Sequence, residues 1–174
     1  MKRFVFLDRD GTLVHDGGYV HRLEDYRLLA GVVPALARLS ASGFGLAILT
    51  NQSGIGRGLF SESDYHAFEA RLEQDLARQG VPIAGSFFCP HAPDAGCPCR
   101  KPAPGLYWAA RAALGADLGA SFAIGNELRD VEAGLAAGCR AALLIGPEPP
   151  APLPARALHA PDLSGAAERI LAFD

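Results

Sequence analysis

Short runs of apolar residues alternate along the chain with segments in which apolar residues recur every three or four positions. Runs of four to six apolar residues bounded by glycine or polar residues are typical of strands buried on both faces. The pattern predicts five strands, at 4–7, 44–49, 86–88, 121–126 and 140–145.

Helices are predicted between these strands, because the apolar positions there fall on one face. Ser61 and Asp64 resemble a capping box at the start of one helix. The apolar faces are Val32, Leu36 and Leu39; Tyr65, Phe68, Leu72 and Leu76; Leu106, Ala109, Ala110 and Ala113; and Leu128, Val131 and Leu135, followed by a C-terminal helix at 163–173. Alternating strands and helices indicate an α/β fold, a Rossmann-like three-layer α/β/α sandwich with a mainly parallel sheet.

Composition narrows the class of protein. The chain has 174 residues, 49% of them apolar and 20% charged, which is typical of one globular domain spanning 1–174. A net charge of −3 gives no indication of nucleic-acid or membrane binding. The apolar run at 4–7 is too short for a signal sequence or a membrane span, so we expect a cytoplasmic protein. We also expect it to be a monomer. The proline-rich segment Pro147–Pro154 is predicted to be extended, and no motif follows Gly146.

Two aspartates follow the first predicted strand directly. Asp8 and Asp10 are separated by one residue and precede Gly11, at the end of a strand where open α/β sheets bind ligands. Two carboxylates held there would attract a divalent cation, and one of them could act as a nucleophile. The alternative is an ordinary Asp-Gly turn with solvated charges.

Further polar residues follow the other predicted strands. Thr50 and Asn51 offer donors without bulk, which suits phosphate binding. Arg100 and Lys101 could also hold a phosphate, although adjacent cations are usually solvated. Asn126 lies where a helix N-cap is expected, and capping alone could explain it.

A cluster of cysteine and histidine predicts a metal site in the loop 89–99. Its four candidate ligands suit a closed tetrahedral zinc site: Cys89, His91, Cys97 and Cys99. Four protein ligands leave no position for a reacting water, so the zinc would be structural. The alternative is a chance cluster of surface thiols. Cys139 stands apart and is predicted to be a small buried apolar residue.

The order of these motifs resembles that of the haloacid dehalogenase (HAD) superfamily of phosphohydrolases. The resemblance rests on 8–12, 50–51, 101–102 and 125–130, and it spans nearly everything from Arg3 to Gly146. It implies a HAD-like fold without an inserted cap domain, since the gaps between motifs are short. Within the superfamily, the segments at 7–12, 50–58 and 89–102 are similar to those of heptose bisphosphate phosphatases, which supply precursors of lipopolysaccharide. Histidinol-phosphate phosphatases are similar in the same segments, zinc loop included.

The resemblance also implies a role for each matching residue. Asp8 would attack phosphorus and form an aspartyl-phosphate, and Asp10 would act as general acid and then as general base. Thr50, the Asn51 backbone amide and Lys101 would hold the phosphoryl oxygens.

The metal and the rest of the substrate complete the implied site. Catalytic Mg²⁺ would be bound by Asp8, the Asp10 backbone carbonyl and the side chain at position 126. Arg57 and Arg100 would contact the rest of a small phosphorylated sugar, including its second phosphate.

One position departs from the family pattern, which has aspartate where this chain has Asn126. The missing charge is worth about 4 kcal/mol for a pair at ~4 Å and an effective dielectric near 20, before desolvation is counted. We therefore expect weaker Mg²⁺ binding, which Glu127 or Asp130 could offset, Asp130 through a metal-bound water. A phosphometabolite-binding protein without catalysis is the alternative that Asn126 alone motivates.

Overall fold

The computed structural model describes residues 2–148 and 152–173. Its strands are β1 (Phe4–Leu7), β2 (Gly45–Asn51), β3 (Gly85–Cys89), β4 (Phe122–Gly125), β5 (Ala141–Ile145) and β6 (Ala157–Ala160). They form one sheet in the order β3-β2-β1-β4-β5-β6, and all five pairings are parallel. This is the Rossmann-like fold that the alternation of strand and helix predicts.

Helices cover both faces of the sheet. Their bounds are α1 (Val32–Ala41), α2 (Ser53–Gly56), α3 (Glu62–Arg78), α4 (Gly105–Leu114), α5 (Leu128–Ala137) and α6 (Leu163–Leu171), with 3₁₀ turns at Leu23–Asp25 and Leu118–Ala120. α1, α3 and α6 contribute to one apolar core, and α4 and α5 contribute to the other. The two cores and the sheet between them make the predicted three layers. Within the described ranges, none of the helices is long and apolar enough to cross a bilayer.

The first strand lies at the centre of the sheet and is buried along its whole length. Val5 pairs with Leu46 of β2 on one side and with Phe122 of β4 on the other. The order of the strands reverses between β1 and β4, and such a switch point leaves a crevice beyond the carboxyl ends of the strands. The segments after these strands therefore meet in one place.

Local predictions mostly agree with the structure. The five predicted strands lie within two residues of β1 to β5, and the capping box of α3 forms, with the Ser61 Oγ accepting from the Asp64 amide at 3.1 Å. β6 was not predicted. It follows the proline-rich segment, of which residues 149–151 lie outside the described residues.

Two helix faces were assigned wrongly in part. In α4, Leu106 and Ala110 are buried as predicted, but Ala109 and Ala113 are exposed and Tyr107 is buried in their place.

The other such face is that of α5. Val131 of α5 is buried and Leu135 packs on the core, but Leu128 is 37% exposed. Leu128 is the first residue of α5, at the edge of the sheet where the helix begins. Its apolar side chain therefore points to solvent instead of the core.

Candidate active site

A cavity of about 440 Å³ lies beyond the carboxyl ends of the central strands. Most of the predicted site residues line it: Asp8, Asp10, Thr50, Asn51, Arg57, Arg100, Lys101 and Asp130. Asn126 is not among its lining residues. The structure thus brings most of the residues predicted for the phosphate and Mg²⁺ site together in one cavity.

Lys101 is the buried centre of this site. Its ammonium group donates to Asp8 Oδ1 at 2.6 Å and to the Leu49 carbonyl at 2.7 Å, and its Nζ lies 2.7 Å from Asp130 Oδ1. A lysine ammonium has three donor hydrogens, so these partners use all of them. The side chain is fixed between the two carboxylates.

Burial makes the charge on Asp8 costly. Desolvation raises the pKa of Asp8 to about 7, against the opposing effect of Lys101, and Asp130 and Asp10 raise it further. Burial by itself would lower the pKa of the Lys101 ammonium, but the two carboxylates outweigh it and the pKa lies above its usual value. Another cation beside Asp8 would stabilise its charged, nucleophilic form.

The Asp10 carboxylate is held by the buried Arg9 side chain. The Arg9 guanidinium donates from Nε to Asp10 Oδ1 at 2.8 Å and from Nη2 to Oδ2 at 3.0 Å. Gln52 Nε2 donates to the same Oδ2 at 2.9 Å. The carboxylate at the candidate acid–base position is therefore fixed by two neighbouring side chains.

Residues at the end of β2 supply a hydroxyl donor to the cavity and fix the backbone of Lys101. Thr50 Oγ1 accepts a hydrogen bond from Gln52 at 2.8 Å, which leaves the hydroxyl proton to donate into the cavity. The Asn51 side chain is engaged elsewhere: it donates to the Lys101 carbonyl at 3.1 Å and accepts from the Lys101 amide at 3.0 Å. Asn51 thus fixes the backbone that carries Lys101, a role that its place beside Thr50 did not indicate.

Asn126 packs directly against the turn that follows β1. A Cβ built on Gly11 would lie 2.3 Å from the Asn126 Nδ2, and Gly11 has a φ of +79°. Only glycine fits there, because both the space and the backbone angle exclude a side chain. The amide thus lies next to the segment that carries Asp10.

The suggestion that Asn126 is a helix N-cap is wrong. α5 is capped by Glu127, whose amide donates to Asp130 Oδ2 at 3.0 Å. With Oδ1 on Lys101, both oxygens of Asp130 are engaged. The structure therefore places Asp130 as a partner of Lys101 and of the α5 N-terminus.

Lining residues that were not predicted as site residues include Asp16, Tyr19 and Arg129. Glu127, which was predicted only as a possible offset for the charge missing at Asn126, lines the cavity too. Arg129 contacts Glu127 through an ion pair at the cavity rim. The Arg57 guanidinium lies 5.9 Å from the centre of the Tyr19 ring, so two cavity-lining residues also contact each other. They come from loops and a helix N-terminus that carry no periodic signal, and only the short gaps between motifs indicated that loops would wall the site.

The predicted zinc ligands converge in the loop after β3. The ligand atoms of Cys89, His91, Cys97 and Cys99 all lie within 4.8 Å of one another, and sulfur–sulfur distances are 3.2 to 3.5 Å. Ligands bound tetrahedrally at about 2.3 Å from zinc would be about 3.8 Å apart. The thiols are free of disulfides. The donor set and its spacing fit a zinc ion, whereas Cys139 is buried among apolar residues, as predicted.

The zinc-ligand loop packs tightly on its neighbours. A Cβ on Gly56 would lie 2.6 Å from the Ala92 amide nitrogen and 2.7 Å from the Pro90 carbonyl oxygen. The loop backbone thus approaches α2, which follows the Thr50 segment. Since Arg100 and Lys101 directly follow Cys99, the loop also sets where these cations lie.

Comparisons with known proteins agree with this geometry. The family model described as polynucleotide kinase 3 phosphatase matches residues 3–128, and the one described as HAD-hydrolase-like matches residues 98–162. A crystal structure of D,D-heptose 1,7-bisphosphate phosphatase from B. bronchiseptica, complexed with magnesium and phosphate, superposes with a TM-score of 0.88 at 33% identity, covering 99% of both chains. These matches define the chain as a phosphatase of the HAD-like hydrolases.

Curated relatives narrow the class to a family. The D-glycero-beta-D-manno-heptose-1,7-bisphosphate 7-phosphatase of Yersinia pestis is 40% identical over 148 residues, which is 81% of this chain and 79% of the relative. The protein of the same name from Escherichia coli K12 is 38% identical, over 81% of this chain and 78% of the relative. The chain belongs to the family of D-glycero-beta-D-manno-heptose-1,7-bisphosphate 7-phosphatases.

Proposed function

We propose that the protein hydrolyses the 7-phosphate of D-glycero-D-manno-heptose 1,7-bisphosphate through an aspartyl-phosphate on Asp8. The observation that carries this proposal is the Asp8–Lys101 contact of 2.6 Å at the base of a cavity that Arg57 and Arg100 also line. A carboxylate and a buried ammonium would act on one phosphate there, and the arginines would bind a second one.

The two aspartates divide the chemistry. Asp8 attacks phosphorus as the bond to the sugar oxygen breaks, and Asp10 gives its proton to that oxygen. Asp10 then takes a proton from the water that attacks the aspartyl-phosphate. The product is inorganic phosphate, and both side chains return to their starting protonation.

The remaining residues hold the phosphoryl group and the metal. Thr50 and the Asn51 amide donate to the phosphoryl oxygens, and Lys101 would join them by exchanging one of its three present partners for a phosphoryl oxygen. Asp8, the Asp10 carbonyl and Asn126 offer the oxygen ligands that Mg²⁺ prefers. When bound there, the metal would offset the charge of a dianion approaching a carboxylate.

We further propose that residues 1–174 act as one catalytic domain in the cytoplasm, with a structural zinc in the loop 89–99. Free thiols beside a histidine are more often zinc ligands than disulfide partners in a reducing compartment. The zinc would fix the loop that carries Arg100 and Lys101 without contributing to the chemistry.

Histidinol phosphate is a second candidate substrate. Asp16 and Glu127 line the same cavity, and their carboxylates favour a leaving group that carries a cation. Arg129 contacts Glu127 and would offset part of that charge. The balance of acids and arginines at the rim therefore decides between the two substrates.

The test compares kcat/KM for heptose 1,7-bisphosphate, heptose 7-phosphate and histidinol phosphate at saturating Mg²⁺. We expect the bisphosphate to be the best substrate, and Arg57→Met to reduce its kcat/KM more than that of heptose 7-phosphate. Arg22→Met, at an exposed ion pair with Glu24, is the matched control and should change neither. A higher kcat/KM for histidinol phosphate would contradict the proposed substrate and favour the second candidate.

A further inference from the structure

Arg9 is fully buried, although it lies between two residues that line the cavity. Val5 and Leu7 of β1 face the core that contains Phe68, beneath α3. Arg9 continues that face into the core, whereas its two neighbours line the cavity. Its guanidinium lies 4.6 Å from the centre of the Phe68 ring. From there it reaches back to bond Asp10 through two parallel hydrogen bonds.

These bonds limit where Asp10 can carry a proton. A carboxylate has about four acceptor sites, two on each oxygen. Arg9 and Gln52 fill both sites on Oδ2, and Arg9 Nε fills one site on Oδ1. The remaining Oδ1 site is the one that can hold a proton without losing any of these bonds.

The same guanidinium also holds the loop before α1. Arg9 Nη2 donates to the Val20 carbonyl at 2.8 Å, and the neighbouring Tyr19 lines the cavity. On its other side, Nη1 lies 3.6 Å from Oε2 of Glu69, which is 4% exposed. The planar, permanently charged guanidinium can bind the Asp10 carboxylate and the Val20 carbonyl of the loop at the same time.

We propose that Arg9 is the positioning residue for Asp10: its paired hydrogen bonds fix the carboxyl plane and leave one site on Oδ1 for the leaving-group oxygen, and its bond to the Val20 carbonyl ties the Tyr19 loop to the same geometry. Glu69 supports this role by contacting Nη1, on the side of the Arg9 guanidinium away from Asp10. The inference rests on the proposed function, since it needs Asp10 to act as the general acid.

The experiment compares two leaving groups in Arg9→Lys. Lysine keeps the charge but cannot bond both oxygens of Asp10. Single-turnover release is measured for heptose 1,7-bisphosphate, whose sugar alkoxide needs a proton, and for p-nitrophenyl phosphate, whose phenolate leaves without one. We expect a loss of about 100-fold for the sugar substrate and less than about threefold for the aryl substrate. A merely structural role would lower both rates by the same factor.

Glu69→Gln keeps the inference testable if Arg9→Lys does not fold. Glu69 does not line the cavity, so a several-fold loss confined to the sugar substrate would support the inference. The control is Arg71→Lys, on the same helix at an exposed pair with Asp75, which should leave both rates unchanged.

The two failures are distinguishable. Equal losses for both substrates, or unchanged sugar release in Arg9→Lys, would overturn the role of Arg9 while wild-type turnover upholds the proposed function. Wild-type protein that releases phosphate from neither substrate would overturn both.

Discussion

Replacing Lys101 by methionine would remove the ammonium group that joins Asp8 and Asp130. Lys101 is 2% exposed, and the side chains of Asp8 and Asp130 are 11% and 4% exposed. Methionine has a similar volume, so the substitution removes the charge without leaving a large cavity. The effect on stability should therefore come from the two carboxylates and the Leu49 carbonyl that lose their partner.

Removing one partner of a buried ion pair costs about 3–5 kcal/mol, because the remaining charge is left uncompensated. We expect a loss of this size in the free energy of unfolding at pH 8 in Mg²⁺-free buffer. With Lys101 present, the pKa of Asp8 is already raised to about 7, so native Asp8 keeps its proton at pH 5.5. A carboxyl group whose pKa is raised in the folded protein lowers the free energy of unfolding as the pH rises. At pH 5.5 Asp8 is neutral with or without Lys101, so the difference in the free energy of unfolding between the two proteins should be smaller there.

Urea unfolding followed by circular dichroism measures the difference. Lys2→Met is the matched control, since Lys2 is the other lysine of the chain and is exposed; it should change stability by less than about 0.5 kcal/mol. Asp130→Asn in the Lys101→Met background should recover part of the loss, because it removes one of the two unpaired carboxylates. A loss below about 1 kcal/mol at pH 8, or no recovery in the double variant, would refute the reasoning.

Three further predictions concern the nucleophile and the metals. Asp8→Asn should abolish turnover but retain substrate binding in a direct titration, and rates within a few-fold of wild type would exclude the covalent mechanism. Cys97→Ser should lower the zinc content and the melting temperature and raise KM through Arg100; elemental analysis that finds no zinc in wild-type protein purified without chelator would contradict this. Asn126→Asp should tighten Mg²⁺ binding and raise kcat/KM at limiting Mg²⁺, by about tenfold for each 1.4 kcal/mol of the restored interaction. Superimposable Mg²⁺ activation curves of the two proteins would rule out Asn126 as a ligand.

The sequence predicted the fold well because buried parallel strands have a strong apolar signal. β1, β2, β4 and β5 are almost entirely buried, and each was found from its apolar run. β6 was missed because three of its four residues are only partly buried and it follows a proline-rich segment. A strand at the edge of a sheet needs less apolar sequence than one at its centre.

The site was predicted less completely, for two physical reasons. Arg9 was overlooked because a charged residue between two aspartates suggests solvent; the alternation of side chains along an extended segment could have placed it in the core. The second clamp, from Asn51 to the backbone of Lys101, joins segments that are far apart in the chain. Contacts of this kind depend on the tertiary structure and leave no local pattern.

The central position of β1 has a consequence for synthesis and folding of the chain. Although β1 (Phe4–Leu7) is synthesised before the other strands, it pairs with both β2 and β4. Its partner β4 (Phe122–Gly125) is synthesised much later. Closing such a long loop is entropically costly before native contacts compensate for it, so the pairing of β1 with β4 should be a late, slow event. A nascent chain that stops before β4 would expose one edge of an apolar strand, a hazard for aggregation. Appearance of phosphatase activity during refolding should therefore coincide with completion of the sheet, and would report on it more directly than helix content does.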